Sequence, residues 1–241
     1  MKKFIVEKEV FDLIPNLNIG VLVLKDVKEN KVLDEKSKLE LKRLLDSANN
    51  EARKYLTSDV ISENQVVSVW RSVYQKFPTK KGARCSVENL LKRVLHDNPV
   101  GSILPSIDIT NAISLKYALP IGAEDASKFE GNLRLGIMNG DEYYVAHGED
   151  KVDPPLKGEV AYADDAGVVC RCLNYRDAKR TEITDDTTYE FIAMECVSED
   201  KIEELKSALE ELSNLMCKYL DASVVNTGIV NINNNEIDIE K

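Results

Sequence analysis

The sequence has little to offer redox or metal chemistry. It carries two histidines, His96 and His147, and five cysteines that never fall in a CxxC pair. With neither histidine near a cysteine, no zinc-type ligand set is legible, and the expectation is no metal and no cofactor. Five is an odd number for a disulfide framework. Cys85, Cys170, Cys172, Cys196 and Cys217 therefore read as reduced core thiols of a cytoplasmic protein. Long apolar runs are missing too: none approaches the ~18 residues of a membrane span, so no membrane partner is expected. Near the start, MKKFIVEKEVFD has two lysines, but Glu7 and Glu9 break up any leader-like apolar core. Cationic excess is absent. Lys and Arg total 32 against 42 Asp and Glu, a net charge of -10. That is the wrong sign for generic nucleic-acid affinity, and an RNA partner would need a local basic patch. Finally, GxGxxG, GxxxxGK[ST], HExxH and GxSxG do not occur. An enzyme made from this chain has to work with positioned backbone donors, hydroxyls, carboxylates or a bound water.

What is present is an ordinary globular pattern. With 241 residues, 43% of them hydrophobic, the chain is long enough for a real core. FIVEKEVFDLI and NIGVLVLKDV read as two strands around Pro15 and Asn16. Residues 35–57 place Leu39, Leu41, Leu44, Leu45 and Leu56 near helical spacing. Ser62 and Ser86 are expected to cap two further helices, with Val66, Val67, Trp70 and Tyr74 inward in the first and Val87, Leu90, Leu91, Val94 and Leu95 inward in the second. After Gly131 the period switches to two, and NLRLGIM, EYYVAHG, GEVAYAD and GVVCRCLNY read as short strands, the last pair joined through Asp164–Gly167. YEFIAMECV reads as a central strand buried on both faces. Ser198 opens a closing helix over 198–220, and the tail 221–241 alternates enough to add one edge strand. Helices first and strands after, without repeats or a low-complexity linker, point to α+β in a single domain over 1–241.

One stretch concentrates the chemistry. In PSIDITNAISLKYALPIGAED, Asp108 and Thr110 fit an N-cap for a short helix starting near Ile109. The same geometry fits a site where free N–H groups and the Asn111 amide hold a carboxylate or oxyanion. Pro120 ends the helix, Gly122 turns the chain, and Glu124 and Asp125 read either as solvated caps or, for Glu124, as an acceptor for an ammonium group. Arg171, Arg176, Lys179 and Arg180, taken with Arg71, Lys76, Lys80, Lys81 and Arg84, make the best basic patch on an acidic chain. Arg171 stands apart: between two cysteines in a β-rich stretch, it is expected to face a pocket or an ion partner.

Several segments, taken in order, carry a resemblance: W-R-S-x-Y (70–74), S-x-E-x-L-L-K-R (86–93), DITNAISL, LPIGAED, F-x-G-x-L-R-L-G-I (129–137) and G-E-x-x-Y (158–162). The chain resembles free-standing B3/B4-domain proteins, homologues of the editing domain of the bacterial phenylalanyl-tRNA synthetase β chain. The resemblance spans about residues 65–195. It implies a mixed β-sheet core flanked by helices, and a pocket for an aminoacyl group in which water attacks the ester of a mischarged tRNA. Thr110 and Asn111 match the family's Thr-Asn and would hold the substrate carbonyl or ribose end. The family's pocket histidine falls at Gly122 here, leaving polarity to Glu124 and Asp125. Glu159 and Asn174 are candidates for the family's pocket glutamate, and Arg71 and Arg171 suit a carboxylate or terminal phosphate. The expected partners are the aminoacyl acceptor end of tRNA or an amino-acid-like small molecule. The alternative is a non-catalytic module that binds an amino acid or small ligand on the same fold.

Overall fold

The computed structural model describes residues 1–29 and 33–240. In chain order it runs β1 (Lys3–Val6), α1 (Lys8–Leu13), β2 (Asn18–Lys25), α2 (Glu35–Glu51), α3 (Gln65–Tyr74), α4 (Ser86–Leu95), α5 (Pro105–Tyr117) and β3 (Ile121–Asp125). There follow β4 (Leu133–Ile137), β5 (Val160–Asp164), β6 (Gly167–Arg171), β7 (Arg176–Asp177), β8 (Tyr189–Cys196), α6 (Ile202–Leu220), β9 (Ser223–Val230) and β10 (Glu236–Asp238). The fold class is α+β, as the pattern implies.

The strands form two sheets, a mixed one in the order β10-β1-β4-β5-β6-β7 and an antiparallel one in the order β3-β8-β2-β9. They pack face to face. Phe4 of β1 meets Phe191 of β8 with ring centroids 5.1 Å apart, and Tyr162 of β5 stacks on Phe4 at 5.7 Å. Because side chains alternate along a strand, the second sheet divides its residues cleanly. Val21, Val23, Phe191 and Ala193 fill the space between the sheets. Leu22, Leu24, Ile121, Ala123, Ile192 and Met194 face the other way, onto Ile109 and Ile113 of α5 and Leu205, Leu209 and Leu212 of α6. A strand sandwiched between a sheet and a helical layer calls for apolar residues on both faces, and YEFIAMECV supplies them at every position but the buried Glu190 and Glu195: β8 is the buried central strand the sequence predicts.

The departures have local causes. FIVEKEVFDLI is a strand only to Val6, because Val10, Phe11 and Ile14 recur at i, i+1 and i+4 and bury one face of α1. EYYVAHG forms no strand, only the isolated bridges Val145↔Val152 and Ala146↔Ala178. The DDAG link is a tight hairpin in which Asp164 pairs with Gly167. Gly167 has φ 133, and a Cβ there would lie 2.3 Å from the Tyr143 carbonyl oxygen. The serine caps are displaced. Asn64 precedes α3, and its side chain takes the Thr57 and Ser58 amides at 2.7 and 3.0 Å instead. Ser86 is the first helical residue of α4, its hydroxyl donating to Ile121 O at 3.3 Å. Ser198 leads into a short 3₁₀ turn before α6. The tail gives two edge strands rather than one: β9 pairs with β2, then β10 crosses to β1 of the other sheet. Lys241, the last residue of that predicted tail, lies outside the described residues.

Candidate functional site

α5 begins at Pro105, earlier than the sequence reading places it, with proline at the first helical position. Asp108 and Thr110 are therefore interior residues and not N-caps. Asp108 reaches back to the incoming turn, accepting from the Ile103 amide at 2.7 Å and from the Ser102 hydroxyl. Burial pushes its carboxyl up, against the pull of those two bonds. Thr110 Oγ1 donates to Ile107 O at 3.0 Å, and the partly exposed Asn111 side chain has no hydrogen bond among the described residues. The free N–H at the true helix start belongs to Ser106, and it donates to the buried Glu29 carboxyl at 3.2 and 3.3 Å. An anion position exists at this helix, then, and the chain fills it itself. Burial pushes both Glu29 and its neighbour Glu190 up, and their mutual repulsion adds to the shift of Glu190.

PIGAED is a strand, not a loop. Gly122 pairs with Ala193 and Glu124 with Phe191. Asp125 ends the strand as a cap, accepting from Ser127 N and Oγ at 3.0 and 2.5 Å and from Thr187 Oγ1 at 3.3 Å. Glu124 sits on the face opposite Ile121 and Ala123, between the sheets. The helix carrying Thr110 and Asn111 packs on the other side. Neither Thr110 nor Asn111 lines the cavity at Glu124.

The residues gathered around Glu124 come from elsewhere. A cavity of about 10 Å³ lies beside Glu124 and Asn174, walled mostly by Leu133, Tyr162, Val169 and Phe191, at the lower limit of the space one water needs. Asn174 belongs to the β6–β7 turn, where its Nδ2 donates to Ala193 O at 3.3 Å and its backbone oxygen accepts from the Ser86 amide at 3.1 Å. Glycine at 122 makes that approach feasible, since a Cβ there would lie 2.3 Å from Asn174 Oδ1. The turn also holds Cys172 and Leu173 at φ 47 and 60, a left-handed conformation that disfavours both residues.

Chemically the pocket is acidic. Both Glu124 carboxyl oxygens and Thr181 Oγ1 are buried without a hydrogen-bond partner. Burial, then the Asp177 carboxylate, drive the Glu124 carboxyl well above the usual range. The Cys170 thiol donates to Asp177 Oδ1 at 3.1 Å and is driven up by burial and by Asp177. Behind them Tyr162 OH donates to Glu195 Oε1 at 2.9 Å, and burial pushes Glu195 up to about 8. None of Cys170, Asp177, Tyr162 and Glu195 is a site candidate in the sequence, where Cys170 reads as a core thiol. The one sequence signal for two of them is hairpin register, which pairs Cys170 with Asp177 across a turn.

The model of the B3/4 domain family matches residues 69–232. The chain belongs to the B3/4 domain family. A solved N-terminal fragment of the phenylalanyl-tRNA synthetase beta-subunit from Pyrococcus horikoshii is similar at 12% identity and a TM-score of 0.47, over 99% of this chain and 54% of that one. The chain thus spans about half the length of that fragment. Among curated proteins none matches the sequence.

The remaining site residues of this B3/4 chain are engaged in ion pairs. Arg171 is buried and forks onto Glu159, Nε to Oε1 at 2.7 Å and Nη2 to Oε2 at 2.5 Å, with Nη1 on Asp153 Oδ2 at 3.2 Å. The ion partner expected for Arg171 is thus Glu159, and Glu159 is not turned toward the Gly122 cavity. Arg71 forks onto the buried Glu88 at 3.1 and 2.5 Å, and Arg84 reaches the same carboxylate at 3.4 Å. Lys80 pairs with Asp153, Arg176 with Glu149, Lys179 with Asp150 and Arg180 with Asp164. The expected basic patch is largely neutralised by neighbouring carboxylates.

Proposed function

We propose that this B3/4 protein hydrolyses an aminoacyl ester, of the kind a mischarged tRNA bears at its acceptor end, at the cavity where Gly122 meets Asn174. The observation carrying this reading is that water-sized, mostly apolar space between the sheets, with Glu124 and Asn174 among its walls. An aminoacyl ester is already activated, so holding it against an oriented water and donating hydrogen bonds to the developing oxyanion suffices. Asn174 is the orienting group, offering a carbonyl oxygen and an amide. Glu124 supplies the second polar contact. Thr110 and Asn111, the resemblance's first choice, lie behind the sheet, and their part in the reaction becomes indirect. An aminoacyl group is larger than the closed space, so entry requires Asn174 to swing, and the left-handed Cys172 and Leu173 beside it lower the cost of leaving the closed state.

The test is a deacylation panel of mischarged tRNAs and small amino-acid esters, with the wild type and Asn174→Ala. Turnover above the uncatalysed rate, lost in a folded Asn174→Ala, is the expected result. No turnover of any ester refutes it.

A second reading, a non-catalytic small-ligand module, is favoured by the ion-paired state of the basic residues and a net charge of -10. Thermal stabilisation by free amino acids, with no ester turnover and no tRNA binding, is its signature.

A further inference from the structure

Glu124, Cys170 and Asp177 reach one point from three strands, β3, β6 and β7. Their donor atoms lie within 4.8 Å of one another. Ligands around a tetrahedral zinc-type ion stand ~3.3–3.8 Å apart, given bonds of ~2.0–2.3 Å. The Cys170 Sγ to Asp177 Oδ1 separation of 3.1 Å is already of that order, and the others need small side-chain adjustments. Proximity of acids is common and proves nothing alone. Two independent features add to it here. No hydrogen bond reaches either buried Glu124 oxygen or the Oγ1 of the fully buried Thr181, although the Thr181 hydroxyl and the Asp177 carboxyl stand near enough to influence Glu124. Buried polar groups are rarely left so, and call for a missing water or ion. The adjoining cavity, lined by Glu124 and Cys170, has room for one water, and three protein ligands with a water in the fourth place is the arrangement of an open zinc-type site.

The donor set selects the ion. Calcium and magnesium take six or more oxygens, whereas a thiolate with two carboxylates suits a borderline-soft transition cation. An organic ammonium would match the carboxylates but gain little from the sulfur.

We propose that Glu124, Cys170 and Asp177 form a mononuclear site for a zinc-class divalent cation, with a water from the Gly122–Asn174 cavity as fourth ligand and Thr181 supporting the Glu124 carboxylate. Binding converts the Cys170 thiol to thiolate and releases its proton to solvent, together with any proton on Glu124 or Asp177. The site goes beyond the hydrolytic reading and does not depend on it.

Cobalt(II) is the probe, added to full-length protein stripped with chelator and desalted. The expected result is one tight equivalent with a thiolate-to-cobalt charge-transfer band, displaced by zinc. Cys170→Ser abolishes the band, Cys217→Ser retains it, and Asp177→Asn, at a less buried position, weakens binding by at least about tenfold. Circular dichroism confirms that each variant is folded. Absence of the band in wild type, or its persistence in Cys170→Ser, overturns the site. Cobalt binding without ester turnover refutes only the hydrolytic reading, and turnover surviving in chelator with no cobalt band refutes only the metal site.

Discussion

Glu195 gives the sharpest handle on this interior. It lies on β8 facing the other sheet, fully buried, with Tyr162 OH on Oε1 and no partner for Oε2. Burial lifts its carboxyl from 4.5 to about 8, while the Tyr162 hydroxyl and the Asn174 backbone amide pull it down. Between those two values the folded chain keeps a proton that the unfolded chain releases. Folding stability must therefore fall as pH rises, by up to ~1.4 kcal/mol per pH unit. Summed from pH 5 to pH 8 the loss is roughly 3.5 kcal/mol from this residue alone. Glutamine cannot ionise, and its carbonyl still accepts from Tyr162. Urea unfolding of wild type and Glu195→Gln at pH 5, 6, 7 and 8 should thus give two curves that separate progressively, with the variant gaining about 3–4 kcal/mol relative to wild type by the alkaline end. Groups lowered in the fold, such as Asp34 and Asp153, titrate at lower pH and cancel in the difference. Parallel curves would refute the reasoning, because they would mean Glu195 is ionised or solvated in the folded state.

Glu159→Gln leaves Arg171 buried with Asp153 as its remaining charged partner and should cost about 3–5 kcal/mol in urea unfolding; the paired Glu159→Leu, Arg171→Met change should recover most of it. Gly122→Ala forces Asn174 off Ala193 O and should cost about 1–3 kcal/mol, and a double-mutant cycle with Asn174→Ala should recover much of that loss, whereas strict additivity would count against the contact. Truncation after Val230 removes β10 and, with it, the almost fully buried Ile239 whose carbonyl holds the Tyr189 hydroxyl, and it uncovers the edge of β1. The expected loss is at least the ~1.5–3 kcal/mol of burying one isoleucine, and an unchanged midpoint would mean the tail is not part of the core.

The sequence shows its elements through periodicity, so the elements with strong periods are the legible ones. β8 is recognisable because every position is apolar or small except its glutamates, and α6 because Leu205, Leu209, Leu212 and Met216 repeat at helical spacing. α1 is missed because strand and helix patterns cannot be separated over six residues in which Val10 and Phe11 are adjacent. The site is harder for a physical reason. Spacing along the chain places Thr110 and Asn111 fourteen and thirteen residues from Glu124 with Pro120 between, but whether they share a hollow depends on which face of β3 the glutamate takes. That face is fixed by pairing with β8, a contact about seventy residues away. Cys170 and Asp177 meet through the β6–β7 hairpin register, which the turn between them suggests but does not fix.

Buried carboxyls are costly, and this interior holds several, so what each one faces separates structure from chemistry. Glu159 is answered by the Arg171 fork and by the Leu156 amide at 3.0 Å, a closed account of charge that explains its burial without a ligand. Glu195 has Tyr162. Glu190 lacks a hydrogen bond of its own but lies against Glu29, and two carboxyls side by side can share one proton. Glu124 alone among these four faces a cavity, with a thiol, a second carboxyl and an unpartnered hydroxyl around it. Asp177 and Thr181 beside it act on its ionisation but form no hydrogen bond to its oxygens, which is why the proposed site is put on the inner face of β3 and not at Arg71 or Arg171, whose guanidinium forks Glu88 and Glu159 fill.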